Sequence, residues 1–209
     1  MSLSKRDTTR AFIALELSPE IKQVLADYVA PLRALDKGLS WTNAENVHLT
    51  LKFLGDVFES QIENVAAALR ETCASFPPIG AEISDSGVFP NAHRPRVLWI
   101  GIKENSGKLA ELAQRIENEC RRLGFEQEER NFTPHLTIGR VKEGKAANVV
   151  RALRAQPLLA RHIVFHDCVL MKSELHAQGS IYTALARFPF QAGTVHEGDS
   201  PKRTPMRLI

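Results

Sequence analysis

Two short segments of this chain carry residue types that can move protons. One is His48-Leu49-Thr50-Leu51, and the other, 87 residues further on, is His135-Leu136-Thr137-Ile138. Shuffling the composition yields about 0.04 copies of His-Leu-Thr, so a repeat is not an accident of composition. In an extended strand, residues i and i+2 share a face. His48 and Thr50 then project together, with Leu49 and Leu51 behind them. His135 and Thr137 do the same, backed by Leu136 and Ile138. Two such strands related by a pseudo-two-fold axis would bring two imidazoles and two hydroxyls to one point. That set suits a phosphate ester. Imidazole titrates near pH 6.5, so one ring can take a proton from water while the other gives one to a departing oxygen. Threonine hydroxyls can donate to the non-bridging oxygens. With water as the attacker, the chemistry calls for no nucleophilic side chain and no metal. The alternative is a purely structural role for each histidine, and two matching copies argue against it.

Elements able to hold these segments follow from hydrophobic periodicity. Residues 10–17 alternate like a strand. Pro19 and Glu20 open a helix with Ile21, Val24, Leu25, Tyr28, Val29 and Leu32 on one face. A strand over 47–54 is expected to end at the turn signal Gly55-Asp56. Helical spacing over 59–76 stops at Pro77-Pro78. Strands follow over 79–88 and 97–102 around a loop at 89–95, then a helix over 108–123 capped by Gly124. A strand over 135–141 and a helix over 146–155 come next. A terminal hairpin is expected over 163–175 and 180–188, turning near Gln178-Gly179. Several strands adjoin without an intervening helix, which indicates an α+β fold with antiparallel pairing rather than a doubly wound sheet. Residues 1–190 read as a single bilobal domain. The polar, aperiodic stretch 191–209 reads as a flexible tail.

Composition sets the outer limits. The chain has 209 residues, is 44% hydrophobic and 24% charged, and has a net charge of +3. A chain of this size buries about 70% of its surface, enough for a core without staples. The mild basicity permits a nucleic-acid partner without requiring one. Cys73, Cys120 and Cys168 form no CxxC pair, which argues against a disulfide scaffold or a cysteine zinc site and fits buried thiols in a reducing cytosol. No apolar run approaches the ~20 residues of a membrane span, and the first residues lack a signal peptide's apolar region. A cytoplasmic monomer without a membrane partner is expected.

The paired motif, with Arg10–Leu15, His48–Gly55, Pro95–Gly101 and Phe132–Arg140 around it, resembles the two-histidine phosphoesterase superfamily. Within that superfamily the chain is similar to the bacterial and archaeal RNA 2′,3′-cyclic phosphodiesterases, also called 2′-5′ RNA ligase-like proteins. The resemblance spans roughly residues 10–188. It implies two lobes, each an antiparallel sheet backed by helices, facing one another across a cleft. It implies opening of a 2′,3′-cyclic phosphate at an RNA 3′ end to leave a 2′-phosphate. His48 would donate the proton to the leaving 3′ oxygen, His135 would activate water, and Thr50 and Thr137 would bind the phosphate. No metal and no organic cofactor is implied. Arg140 resembles an arginine near the phosphate in relatives. Its position two residues beyond Ile138 places it on the core-side parity of the strand, where a strand-end salt bridge is an equal alternative.

Other residues carry less. Phe53 shares the parity of Leu51 and reads as core. Phe12 and Trp99 could stack on a base, although packing is the default. Tyr182 could line the cleft from the terminal hairpin. His93, Arg94 and Arg96 occupy a loop that could touch RNA backbone, with solvated surface as the alternative. His162, His166 and His176 repeat no motif. Competing activities keep the same residues: hydrolysis of a small cyclic nucleotide or a 2′-5′-linked oligonucleotide, with 2′-5′ ligation as the reverse reaction. A non-catalytic RNA-end binding module and a metal hydrolase are the remaining alternatives. The second lacks an H-E-x-x-H and a third ligand within the motif.

Overall fold

A computed structural model of the chain describes residues 8–36, 39–142, 146–158, 160–176 and 179–191. The expected tail beyond Gln191, the polar start before Thr8 and the turn residue Gln178 lie outside the described residues.

Element order is β1 (Thr8–Glu16), α1 (Pro19–Leu35), β2 (Leu39–Trp41), β3 (His48–Phe58), α2 (Glu59–Ala74), β4 (Ile79–Phe89), β5 (Val97–Lys103), α3 (Lys108–Arg122), β6 (His135–Val141), α4 (Ala147–Ala155), β7 (Arg161–Phe165), β8 (Asp167–His176) and β9 (Gly179–Pro189). Local chemistry sets the boundaries. At the start of α1, the Ser18 hydroxyl accepts from the Ile21 amide at 3.4 Å, and Pro19 takes the first helical position. Gly124, at φ +89°, ends α3.

All strand pairs are antiparallel, in the order β7-β4-β5-β6-β3-β1-β8-β9, with β2 added to β6. The sheet falls into two halves, β3-β1-β8-β9 and β6-β5-β4-β7, that meet at a single pairing of Leu49 with Leu136. This is the expected α+β, two-lobed antiparallel architecture. The lobes share a plan in which a strand, a helix, the motif strand and a second helix follow in order. The helices are exchanged. α1, which follows β1, packs on α4 of the other half, and α3, which follows β5, packs on α2 and β3. Tyr28 and Gln156 lock the α1–α4 contact through Gln156 Nε2 donating to the Tyr28 carbonyl at 2.8 Å.

The expected strand over 163–175 divides at His166. Its carbonyl accepts the Phe190 amide at 2.8 Å, so Arg161–Phe165 pairs with β4 while Asp167–His176 pairs with β1 and β9. One residue thus links strands with five others between them, a flat width of roughly 29 Å at ~4.8 Å per step. A flat sheet cannot satisfy that link, so this one curls. β3 also runs through Gly55-Asp56 rather than ending there. Gly55 adopts φ +72°, open to glycine, and absorbs an irregularity in pairing with β1.

A second irregularity recurs in both lobes. On β3, Thr50 pairs with Ala14 and Lys52 with Ile13, leaving Leu51 extra. On β6, Thr137 pairs with Trp99 and Gly139 with Leu98, leaving Ile138 extra. Each bulge follows its threonine and reverses the parity beyond it. Leu51 and Lys52 are both buried, and Phe53 is 63% exposed. Ile138 and Gly139 are likewise buried, and Arg140 is exposed. Two expectations are corrected on this ground: Phe53 is not core, and Arg140 does not sit on the core side. Both emerge on the histidine face.

Lys52, turned inward by the bulge, donates to the Glu117 carboxylate at 2.9 Å and to the Glu126 carbonyl at 2.6 Å. Removing one partner of a buried ion pair strands the other charge. Lys52→Ala is expected to lower stability by about 3 kcal/mol, read as a fall in the urea midpoint. An unchanged midpoint would show that the pair does not secure α3 against β3.

Candidate active site

The Leu49–Leu136 pairing dictates the geometry of the site. In an antiparallel ladder centred there, His48 falls opposite Thr137, and Thr50 opposite His135, with all four on the face away from the leucines. Directly opposed residues have Cβ atoms about 5 Å apart. Leu49 and Leu136 are fully buried, whereas the two histidines and two threonines are half-buried. The structure therefore brings together the four motif residues, with Arg140 three positions beyond Thr137 on the same face.

Both imidazoles are oriented in the same way. His48 Nδ1 lies 2.8 Å from the Asn46 carbonyl, and His135 Nδ1 lies 2.7 Å from the Thr133 carbonyl. A carbonyl only accepts, so Nδ1 carries the proton in each neutral ring and Nε2 presents a lone pair. Each acceptor sits two residues before its histidine. For His48 it closes the short 3₁₀ turn Ala44–Asn46, where the Asn43 side chain accepts from the Glu45 amide at 3.2 Å. For His135 it precedes Pro134, which biases Thr133 to extended backbone. Asn46 Nδ2 also donates to the Ser180 carbonyl of β9 at 2.7 Å, anchoring the first turn to the far side of its lobe.

The surroundings of the two rings differ. Phe12 stacks on His48 at 4.7 Å with 27° between planes, and Tyr182 meets it edge-on at 5.3 Å. Phe12 and Tyr182 pack with Ala14, Val169 and Met171 in an apolar cluster of their own. Burial in that cluster holds the His48 imidazole below its ordinary 6.5. The bond to Asn46 and the Glu16 carboxylate oppose the fall, and Lys22 reinforces it. Glu16 pairs with His48 in register and is held by Arg187, which also reaches Asp167 at 3.2 Å. Among the described residues His135 makes one ring contact, a T-shaped one with Phe89 at 5.0 Å. Opposite it stands Gly101, where a Cβ would run into the Asp85 carboxylate. Among the described residues, no side chain engages either threonine hydroxyl or the Arg140 guanidinium.

Residues weighed only as alternatives in the sequence take definite places. Phe12 and Tyr182 wall His48. Trp99, opposite Thr137, packs against Phe89 at 5.1 Å. Sequence reasoning missed the Glu16–Arg187 pair. Glu16 shares the parity of Phe12 and Ala14, but only the register of β1 on β3 shows that it faces His48.

A family model described as the 2′-5′ RNA ligase superfamily matches residues 18–174. A Thermotoga maritima protein named RNA 2′,3′-cyclic phosphodiesterase is 32% identical over 188 residues, covering 89% of this chain and 98% of that protein. An Aquifex aeolicus protein of the same name is 34% identical, covering 86% and 96%. Among solved structures, a Thermus thermophilus protein superposes with a TM-score of 0.74 at 24% identity, and E. coli LigT with 0.71 at 23%. Each covers 88% of this chain and 98% of the other. These two likenesses show the fold.

The titration of His48 follows from its walls. Tyr182→Ala admits water to the ring and is expected to raise its midpoint toward 6.5, whereas Glu16→Gln removes an attracting charge and is expected to lower it. Because folding depresses this imidazole's pKa, its contribution to stability is complete above pH 6.5 and shrinks as pH falls through the folded midpoint. NMR titration of the ring Cε1–H checks both directions. Movement of both variants the same way would refute the assignment of causes.

Proposed function

The chain belongs to the 2′-5′ RNA ligase superfamily, and we propose that within it this protein is an RNA 2′,3′-cyclic phosphodiesterase using His48 and His135 as general acid and base. The observation that carries this reading is the repeated arrangement: two histidines and two threonines on the face away from the paired leucines, with each Nδ1 tied back to a backbone carbonyl.

In the proposed reaction the cyclic phosphate lies over the quartet. His135 Nε2 takes a proton from water, whose oxygen bonds to phosphorus. The bond from phosphorus to the 3′ oxygen breaks, and that oxygen receives the proton of charged His48 Nε2. The product keeps a 2′-phosphate. Thr50 and Thr137 donate to the non-bridging oxygens, and Arg140 pairs with the same charge through two parallel N–H bonds. Water is the nucleophile, so no covalent enzyme intermediate forms, and the steps described call on no metal or organic cofactor. Exchange with solvent returns each histidine to its starting state. The unit proposed to act is the 1–190 body as one bilobal domain, since its two motif strands pair with one another. A monomer is the working form, because every group in the scheme comes from one chain. Buried Cys73, Cys120 and Cys168 fit a reducing, cytoplasmic setting.

A short RNA ending in a 2′,3′-cyclic phosphate, incubated in EDTA, tests the proposal. The expected product is the 2′-phosphate. His48→Ala and His135→Ala are each expected to cut turnover by about 10²–10⁴ while the fold is retained by circular dichroism. Comparable activity in either variant would refute the two-histidine scheme. A 3′-phosphate product would reverse the leaving oxygen, and activity dependent on added zinc or manganese would replace water activation by His135 with activation by metal.

A further inference from the structure

Gly101 stands directly opposite His135, at the place that Glu16 holds opposite His48. Its backbone is ordinary strand, so what glycine supplies here is room. That room is filled from the next strand. On β4, Ile83 pairs with Ile102 and Ser86 with Ile100, so Ser84 and Asp85 together oppose Gly101. The Asp85 carboxylate lies over the glycine, with Oδ1 close to the point a Cβ would take. Each lobe thus sets one carboxylate beside its histidine, by unlike routes. Their states differ. Glu16 is taken by Arg187. Asp85 is exposed, accepts from Ser84 Oγ at 2.7 Å and has no ion-pair partner among the described residues. Opposed Cβ positions lie about 5 Å apart. Two hydrogen bonds of about 2.8 Å to one water span that distance.

We propose that Asp85 accepts the second hydrogen of the water that attacks phosphorus, and so commits the site to water as the nucleophile. This rests on the activity proposed above. Water brings two hydrogens. His135 takes one at Nε2, because its Nδ1 is held by the Thr133 carbonyl. Asp85 holds the other, which aims the oxygen at phosphorus. An alcohol, such as a hydroxyl of a second RNA, has a single hydrogen. His135 takes it, and Asp85 is left nothing to accept. With either nucleophile its oxygen bonds to phosphorus, the bond to the 3′ oxygen breaks, and that oxygen receives the His48 proton. The carboxylate therefore favours hydrolysis over transfer of the phosphate to an alcohol.

The test is a partition between two nucleophiles. A short RNA ending in a 2′,3′-cyclic phosphate is turned over in a water–methanol mixture, and the 2′-phosphate is separated from its methyl ester. A hydrogen bond to a charged acceptor corresponds to a factor of about 10–100 in rate. Asp85→Ala is expected to slow formation of the 2′-phosphate by that factor, with KM and the rate of ester formation nearly unchanged, so that the share of ester rises accordingly. Asp85→Asn, which keeps the shape and one acceptor oxygen, is expected to lie between Asp85→Ala and wild type. An unchanged product ratio in Asp85→Ala, whatever its total rate, would overturn this role and leave the activity standing. A wild type that forms neither product would overturn the activity, and the role of Asp85 with it.

Discussion

Leu49 must meet Leu136. That single pairing joins the two halves of the sheet, and the histidines are in register only because it holds. Side chains alternate along a strand, so a slip of one residue would turn the histidines into the core and the leucines into the cleft. Both leucines are fully buried. Burial of a leucine contributes roughly 1.5–3 kcal/mol, too little by itself to align two lobes. The joint is reinforced on either side. β2 adds to β6 over Gly139–Val141, and the Thr42 amide donates to the Ile138 carbonyl at 3.0 Å. α3 crosses from its own lobe to bring Glu117 onto Lys52 of β3. The helix exchange makes sense in these terms, since each lobe is tied to the other by the helix that follows its inner strand.

The motif residues and the architecture could be read from the sequence because they depend on period and identity. The His-Leu-Thr repeat, the strand alternation around it and the helical faces of α1 and α2 are local signals. Parity beyond the motif could not be read, because counting by twos assumes a regular strand. The bulges at Leu51 and Ile138 break the count, and each is visible only as two residues opposing one on the neighbouring strand. Phe53 and Arg140 were therefore misplaced together, for one reason. The division at His166 was hidden in a similar way. Residues 163–175 are uniformly strand-like, and what splits them is a carbonyl bonded to an amide 24 residues later in sequence. β2, three residues long, carries too little pattern to register.

The tautomers of both histidines show how little sequence a precise orientation needs. A backbone carbonyl two residues upstream is available in any chain. What the sequence supplies is the conformation that aims it, through an Asn-capped turn before His48 and a proline before His135. The two devices differ while the resulting distances agree within 0.1 Å. Convergence on one geometry by unlike local means indicates that the Nδ1 anchor is the shared requirement of the two lobes.

The low pKa of His48 in the free protein bears on its proposed role as proton donor. Burial against Phe12 and Tyr182 favours the neutral ring, which taken alone suits a base. The substrate changes that balance, because a phosphodiester brings a full negative charge to hydrogen-bond distance of Nε2. At 4 Å and an effective dielectric of 20, such an attraction is about 4 kcal/mol, and it favours the charged ring. That attraction opposes the depression caused by burial, and Glu16 adds to it. Burial that depresses the imidazole in the empty cleft also lowers the dielectric in which the phosphate acts once bound. In the proposed reaction the bound phosphate thus favours the charged ring that burial alone disfavours, and the wall that shields His48 strengthens that effect.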